Sequence, residues 1–352
     1  MSAGSSESGP PSPAWLDAYD FALPPERIAA QPVEPRDASR LLVVDRSLED
    51  DTEARFSDLP QLLAPGDLLV VNETRVLAAR LAARLERTGR DVEILLSHPD
   101  GAGWRALLGP SRRLRVGDRL LLTEGEGAWT IAELSAGGGF LLTAEGRTAE
   151  AMMDAVGHMP LPPYLHRADR PEDRTWYQTV YARAPGAIAA PTAGLHFTPE
   201  LLAAAAARGV GLARVVLHVG LGTFAPVRAV EAAAHRVAPE RFHVPPETLL
   251  AMKETRARGG RVVAVGTTTV RALESAARLA EQGAEAWTDL TITPGFQFEA
   301  VDAVVTNLHL PRSSLLVLIS AFAGQERIAR AYRRAIEAGF RFYSYGDAML
   351  IL

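Results

Sequence analysis

Apolar residues along this chain gather in short unbroken blocks. Leu41–Val44, Leu68–Val71, Leu212–Val219, Arg261–Val265 and Val301–Thr306 are rich in Val and Leu and end at turn residues. Blocks of that length predict buried strands. Between them lie segments with helical spacing or helix-forming composition. Phe56–Leu63 reads as a short amphipathic helix. Thr198-Pro199-Glu200 supplies a capping hydroxyl, a proline at the first helical position and an acid, so a helix is expected over Leu201–Ala207, closed by Arg208-Gly209. Further helices are expected at Asp173–Tyr181, at Glu247–Arg258 before Gly259-Gly260, and from Gly266 to about Glu281. Ser314–Phe322 reads as a buried helix and Arg327–Ala338 as an amphipathic one. The Ala-rich start of Glu231–Pro245 predicts a short helix, Leu290 to Phe296 a strand and turn, and the last residues a strand.

From Leu77 to about Met159 the texture changes. Asp91–Ser97, Gly103–Leu108, Arg119–Thr123, Ala128–Glu133 and Gly139–Leu142 are strand-sized and separated by Gly, Asp and Pro. That spacing predicts a small antiparallel barrel or sandwich. Gly157–Leu165 is a proline-rich connector leading back. The expected fold is mixed α/β. A large mixed-sheet domain of residues 15–76 and 159–352 is interrupted by an antiparallel β-barrel domain of residues 77–158, and residues 1–14 form a Ser/Gly/Pro-rich disordered tail.

Composition narrows the classes. The 352 residues carry a net charge of -5, which disfavours a general nucleic-acid coat protein. Yet ten arginines and only five acids fall between Arg75 and Arg119, a locally basic patch suited to phosphate. Cysteine is absent, so disulfides, thiolate metal sites and a cysteine nucleophile are excluded, and a cytoplasmic location is expected. No apolar run has membrane length, and the amino terminus lacks the basic and apolar regions of a signal peptide.

Four predicted strand ends carry polar residues: Asn72–Arg75, His218–Thr223, Gly266–Arg271 and Asn307–Ser314. Strand ends of one sheet can line one cleft. His196, His218 and His309 lack metal-site spacing and acidic companions, so acid/base or structural roles are favoured over zinc. Gly220-Leu-Gly222-Thr223 is only half of a dinucleotide fingerprint. Gly266-Thr267-Thr268-Thr269 opens a helix whose amino terminus can hold a carboxylate.

The runs PTAGLHFT (191–198), HVGLGTF (218–224), AVGTTTVRALES (264–275), TNLHLPRSSLLVLISAFAG (306–324) and RFYSYGDAMLI (341–351) are long and specific. So are Arg36–Leu41, Gly66–Arg75 and Gly157–Tyr164. By these the chain resembles the S-adenosylmethionine:tRNA ribosyltransferase-isomerase family of queuosine biosynthesis, from about Tyr19 to Leu352. The resemblance implies an α/β domain with an inserted barrel. It implies transfer and isomerisation of the ribosyl moiety of S-adenosylmethionine onto 7-aminomethyl-7-deazaguanine in the tRNA anticodon. The products would be epoxyqueuosine-tRNA, adenine and methionine. S-adenosylmethionine is then a co-substrate; no tightly bound cofactor or metal, no membrane and a monomer are expected.

Such chemistry needs a base near the sulfonium-activated carbon, donors for the departing adenine and fixed donors for developing negative charge. The expected catalytic set is His196, His218, Arg271, His309 and Asp289. The expected substrate-binding set is Asn72, Arg75, Thr192, Gly194, Gly220, Gly222, Thr223, Gly266, Thr267, Thr268, Asn307 and Asp347. Arg112 and Arg113 are expected to touch tRNA. One departure stands out: family members usually carry His-x-Met-His-Ser-Glu where this chain has His235-Arg-Val-Ala238-Pro239-Glu240. That departure leaves open a catalytically altered tRNA-binding homologue as the alternative.

Overall fold

The computed structural model describes residues 14–135, 139–165, 167–220, 236–279 and 285–352. In chain order its elements begin with strands β1 (Arg40–Val44) and β2 (Thr52–Arg55), helix α1 (Leu59–Leu62), and strands β3 (Leu68–Asn72) and β4 (Thr74–Val76). Six strands follow: β5 (Arg80–Leu85), β6 (Asp91–Asp100), β7 (Gly103–Gly109), β8 (Arg119–Leu122), β9 (Ala128–Leu134) and β10 (Phe140–Glu145). Then come α2 (Ala149–Val156), α3 (Asp173–Trp176), β11 (Ala184–Ala187), α4 (Pro199–Ala207), β12 (Gly211–Leu217), β13 (Glu240–His243) and α5 (Pro246–Ala257). The chain closes with β14 (Val262–Val265), α6 (Thr267–Ala276), β15 (Ala286–Thr288), β16 (Ala303–Asn307), α7 (Ser314–Ala323), α8 (Gln325–Glu337) and β17 (Ala348–Ile351).

The apolar blocks become the centre of a nine-stranded sheet in the order β15-β13-β12-β3-β14-β16-β17-β1-β2. β12, β3, β14 and β16 run parallel, while β17 turns antiparallel to β16. Successive side chains face opposite sides. Leu42, Val44, Leu68, Val70, Val262 and Val304 therefore share one core with α6, α7 and α8. Leu41, Val43, Leu69, Val71, Val263 and Val305 share another with α4 and Phe56. A strand with both faces covered must be apolar throughout, which is why these blocks do not alternate.

The six strands β5 to β10 close into an antiparallel barrel around Leu81, Ile94, Leu96, Trp129 and Leu142. β4 and β11, which flank it in the chain, pair in parallel. One barrel strand, Arg80–Leu85, was not expected: its outward residues are Ala and Arg, so its alternation is faint. The expected helix over Asp173–Tyr181 is a single turn ending at Trp176. Arg36 takes the carbonyls of Thr175 and Gln178, and the Gln178 amide bonds both the N–H and the carbonyl of Val76. Helix α6 ends at Ala276, and Glu281 lies outside the described residues. The strand expected near Leu290 lies earlier, at Ala286–Thr288, because Thr288 Oγ1 accepts from the Leu290 N–H and local bonds replace a ladder. The helix expected from Glu231 begins outside the described residues; its later part contains β13 instead.

Candidate active site

The carboxyl ends of the four parallel strands meet. β3 ends at the fully buried Asn72, whose amide donates to the Leu217 carbonyl at the end of β12 (2.9 Å) and to Thr268 Oγ1 (3.3 Å). Asn72 Oδ1 accepts from the Leu217 and Thr74 N–H groups. All four hydrogen-bonding positions of that amide are used, so Asn72 ties strand ends together instead of reaching a ligand. β14 ends at Val265 and leads into Gly266, with φ at +90°, a conformation that β-carbons disfavour. This turn aims the amino terminus of α6 into a cleft lined by Thr192, Gly266, Thr267, Thr268, Asn307 and His309. The first amides of the helix have no partner within it, so this end favours a carboxylate. Thr269 faces away, donating to the Val265 carbonyl at 2.7 Å. Only two of the three expected hydroxyls therefore reach the cleft.

The Asn307 amide donates to the Tyr343 carbonyl and to His196 Nε2, and its oxygen accepts from Thr192 Oγ1 (2.9 Å). Because the Tyr343 carbonyl can only accept, the amide orientation is fixed. His196 Nε2 is then an acceptor and Nδ1–H faces Ser39 Oγ at 2.9 Å. Burial, then the charges of Arg341 and Arg36, hold the His196 pKa down at about 3. The expected acid/base role for His196 does not fit: both nitrogens are occupied and the ring packs on Phe56 at 5.0 Å, behind the cleft. It positions Asn307. Tyr343, missed in the sequence reading, adopts φ +73° and lines the same cleft. A residue in that region needs its surroundings to hold it, and the Asn307 bond does so.

His309 does face the cleft, with Nε2 paired to Thr306 Oγ1 at 2.8 Å and burial holding its pKa at about 3. His218 lies on a second cleft of about 330 Å3 between sheet and barrel, shared with Gly220, Ala238, Pro239 and Glu240. Its Nδ1 pairs with Thr74 Oγ1 at 2.8 Å, and burial, followed by the Arg241 charge, lowers its pKa to about 4. The ring presses on Gly186, where a β-carbon would come within 2.8 Å of it. All three imidazoles are neutral at physiological pH. His218 and His309 can accept protons or share hydrogen bonds at their clefts, His196 only holds its neighbours, and none is a standing acid.

Arg271 and Glu240 join the two clefts. Arg271 borders the first, Glu240 borders the second, and a smaller pocket with Ala238, Leu290 and Leu315 touches both. The guanidinium pairs with the Glu240 carboxylate and donates through Nε to the Leu290 carbonyl at 2.9 Å. Glu240 also accepts from the Gly220 N–H at 3.0 Å. Arg271 is thus a fixed, partnered cation at the junction.

Other expected residues lie elsewhere. Asp289 is exposed and borders neither cleft. Asp347 is buried but accepts from the N–H groups of Arg40 and Arg341, a structural clasp between β1 and the last loop. Gly194 is a packing residue, since a β-carbon there would meet the Tyr181 hydroxyl at 2.0 Å. Arg75 is exposed on β4. Gly222 and Thr223 lie outside the described residues. Arg112 and Arg113 are exposed on the loop after β7 and form no ion pair among the described residues, whereas Arg80, Arg84, Arg87, Arg105 and Arg119 are all matched by barrel carboxylates. No group of three His, Cys, Asp or Glu residues able to hold a metal occurs among the described residues.

With this geometry the chain resembles known proteins along almost its whole length. Residues 16–351 match the family described as "Queuosine biosynthesis protein". The S-adenosylmethionine:tRNA ribosyltransferase-isomerase of Moorella thermoacetica is 48% identical over 96% of this chain and 99% of its own. The one of Anaeromyxobacter sp. (strain Fw109-5) is 52% identical over 96% and 98%. The crystal structure of S-adenosylmethionine tRNA ribosyltransferase from Thermotoga maritima is 39% identical, covers 95% of this chain and 100% of its own, and superposes with a TM-score of 0.55. A match of this closeness over almost all of both chains shows that the chain belongs to the queuosine biosynthesis protein family.

Proposed function

We infer that the chain is an S-adenosylmethionine:tRNA ribosyltransferase-isomerase of queuosine biosynthesis. The observation that carries this is identity of about half to relatives of that name across nearly the entire length of both chains. The finer reading is that it moves the ribosyl moiety of S-adenosylmethionine onto 7-aminomethyl-7-deazaguanine in the tRNA anticodon and releases adenine and methionine. We read residues 77–158 as a barrel domain inserted in an α/β domain of residues 15–76 and 159–352. We take the enzyme to act as a cytoplasmic monomer without a metal.

The roles follow from position. The amino terminus of α6, with Thr267 and Thr268, suits the methionine carboxylate. Thr192, Asn307 and His309, fixed by their own hydrogen bonds, line the wall against which the nucleoside would lie. Neutral His309 offers adenine a hydrogen bond in place of a full proton. Arg271, held by Glu240, is a preorganised cation at the point where negative charge would develop on oxygen. His218, held through Nδ1 by Thr74, is the proton acceptor at the second cleft. Ala238 and Pro239 border that cleft without breaking the Arg271–Glu240 pair, and the altered-homologue alternative is not favoured. Incubation with S-adenosylmethionine labelled in its ribose and tRNA bearing the aminomethyl base should move label into tRNA. Label that stays in small molecules while the tRNA is bound would overturn the reading.

A further inference from the structure

The cleft between barrel and sheet contains groups that binding of S-adenosylmethionine at the α6 end leaves unused. Trp287 on β15 is 54% exposed, the one aromatic side chain among the strongly exposed large apolar residues described. Its ring partner is His98 of the barrel, edge-on at 5.4 Å. Trp104 lines the cleft, and Glu150, exposed in the first turn of α2, borders the same space with no ion-pair partner among the described residues. Arg241 stands at the sheet side, its contact to Glu285 a loose 3.8 Å. The cleft of about 330 Å3 shares Ala238 and Glu240 with the pocket beneath Arg271, so it opens toward the S-adenosylmethionine cleft.

These features select a ligand. An indole left in water beside a cavity is a stacking platform for a flat ring. Carboxylates inside the cavity repel phosphate but accept N–H donors. A guanine-type edge presents a ring N–H and an amino group side by side, a match for one carboxylate. Enzymes that act on a base draw it from the stack and read that edge between aromatic walls. We propose that this cleft is the nucleobase subsite: the extruded guanine-type base stacks on Trp287, Glu150 accepts from its donor edge, and Arg241 meets a flanking phosphate at the rim. The proposal rests on the ribosyl-transfer reading, with the base's aminomethyl arm directed toward Glu240 and Arg271.

The test combines kinetics with direct binding. At saturating S-adenosylmethionine, Trp287→Ala should lower kcat/KM for tRNA about tenfold or more, and Trp287→Phe should restore most of it. Glu150→Gln should also reduce it, while KM for S-adenosylmethionine stays unchanged in all three. Trp287 is exposed, so these variants should fold. Independently, free 7-aminomethyl-7-deazaguanine should quench tryptophan fluorescence in the unmutated protein and lose that quench in Trp287→Phe. A Trp287-dependent quench in a protein that does not turn over would sink the reaction and support the subsite. Kinetics within twofold of the unmutated enzyme for both Trp287→Ala and Glu150→Gln, or a quench unaltered in Trp287→Phe, would overturn the subsite.

Discussion

His196 and His309 are buried imidazoles whose pKa values fall from 6.5 to about 3. Their effect on stability has a definite sign. Between pH 6.5 and 3 the unfolded chain binds protons there that the folded chain does not, so stability is full above 6.5 and declines on acidification. Each imidazole should cost about 1.4 kcal/mol per pH unit in that window. At Asp67 and Asp173 burial pushes the pKa up, but hydrogen bonds, first those from Arg261 and Arg167, together outweigh it and the net shift is down, so these groups lose their contribution only below 3.8. Urea unfolding at pH 7.5, 6.0 and 5.0 should show the decline, with a shallower slope in His309→Gln; pH-independent stability from 7.5 to 5.0 would contradict it. The Arg271–Glu240 pair makes a second residue-scale prediction. Removing one partner of a buried ion pair costs about 3–5 kcal/mol, so Glu240→Ala should lose stability of that order in urea and release of adenine as well. The sequence located these residues by their motifs but could not separate His196 from His218. What separates them is that Ser39 and Asn307 occupy both nitrogens of one ring, a contact made across more than 100 positions of chain.

At the scale of elements, the apolar blocks translated directly into the buried parallel strands, because burial on both faces leaves a signal that needs no context. Edge and barrel strands were harder to read. Thr52–Arg55 is mostly exposed and Arg80–Leu85 alternates weakly, so neither stands out from a loop. The basic barrel was legible as a count of arginines, but carboxylates pair with five of the ten, Arg80, Arg84, Arg87, Arg105 and Arg119. On the exposed loop after β7, Arg112, Arg113 and Arg115 are in no ion pair among the described residues. β7 spans seven residues, about 20 Å at ~3.3 Å each, so this loop lies at the opposite end of the strand from Trp104 and the cleft. Arg112→Glu with Arg113→Glu should weaken tRNA binding and lower the slope of log affinity against log salt by roughly 1–2. S-adenosylmethionine binding should be untouched. Unchanged tRNA affinity in a filter-binding salt series would place the phosphate contacts elsewhere.

Across the whole molecule, sheet and barrel together make the site: the sheet supplies strand ends and the α6 terminus, and the barrel supplies the opposite wall of the His218 cleft. The mixed α/β architecture with a small barrel was legible from the change of texture near Leu77. The wall was not, because a surface shared by two separately folded β-systems leaves no periodicity in either. Ala238 and Pro239, just before β13, line the same cleft from the sheet side, so the departure from the family motif falls inside the working space and is a direct probe of whether the chain retains the reaction. The decisive measurement is the product balance of one incubation with S-adenosylmethionine and tRNA bearing 7-aminomethyl-7-deazaguanine. Adenine and methionine released in equal amounts, each matched by epoxyqueuosine gained in the tRNA, is the expected result. S-adenosylhomocysteine in their place, or tRNA bound with neither product formed, would contradict it.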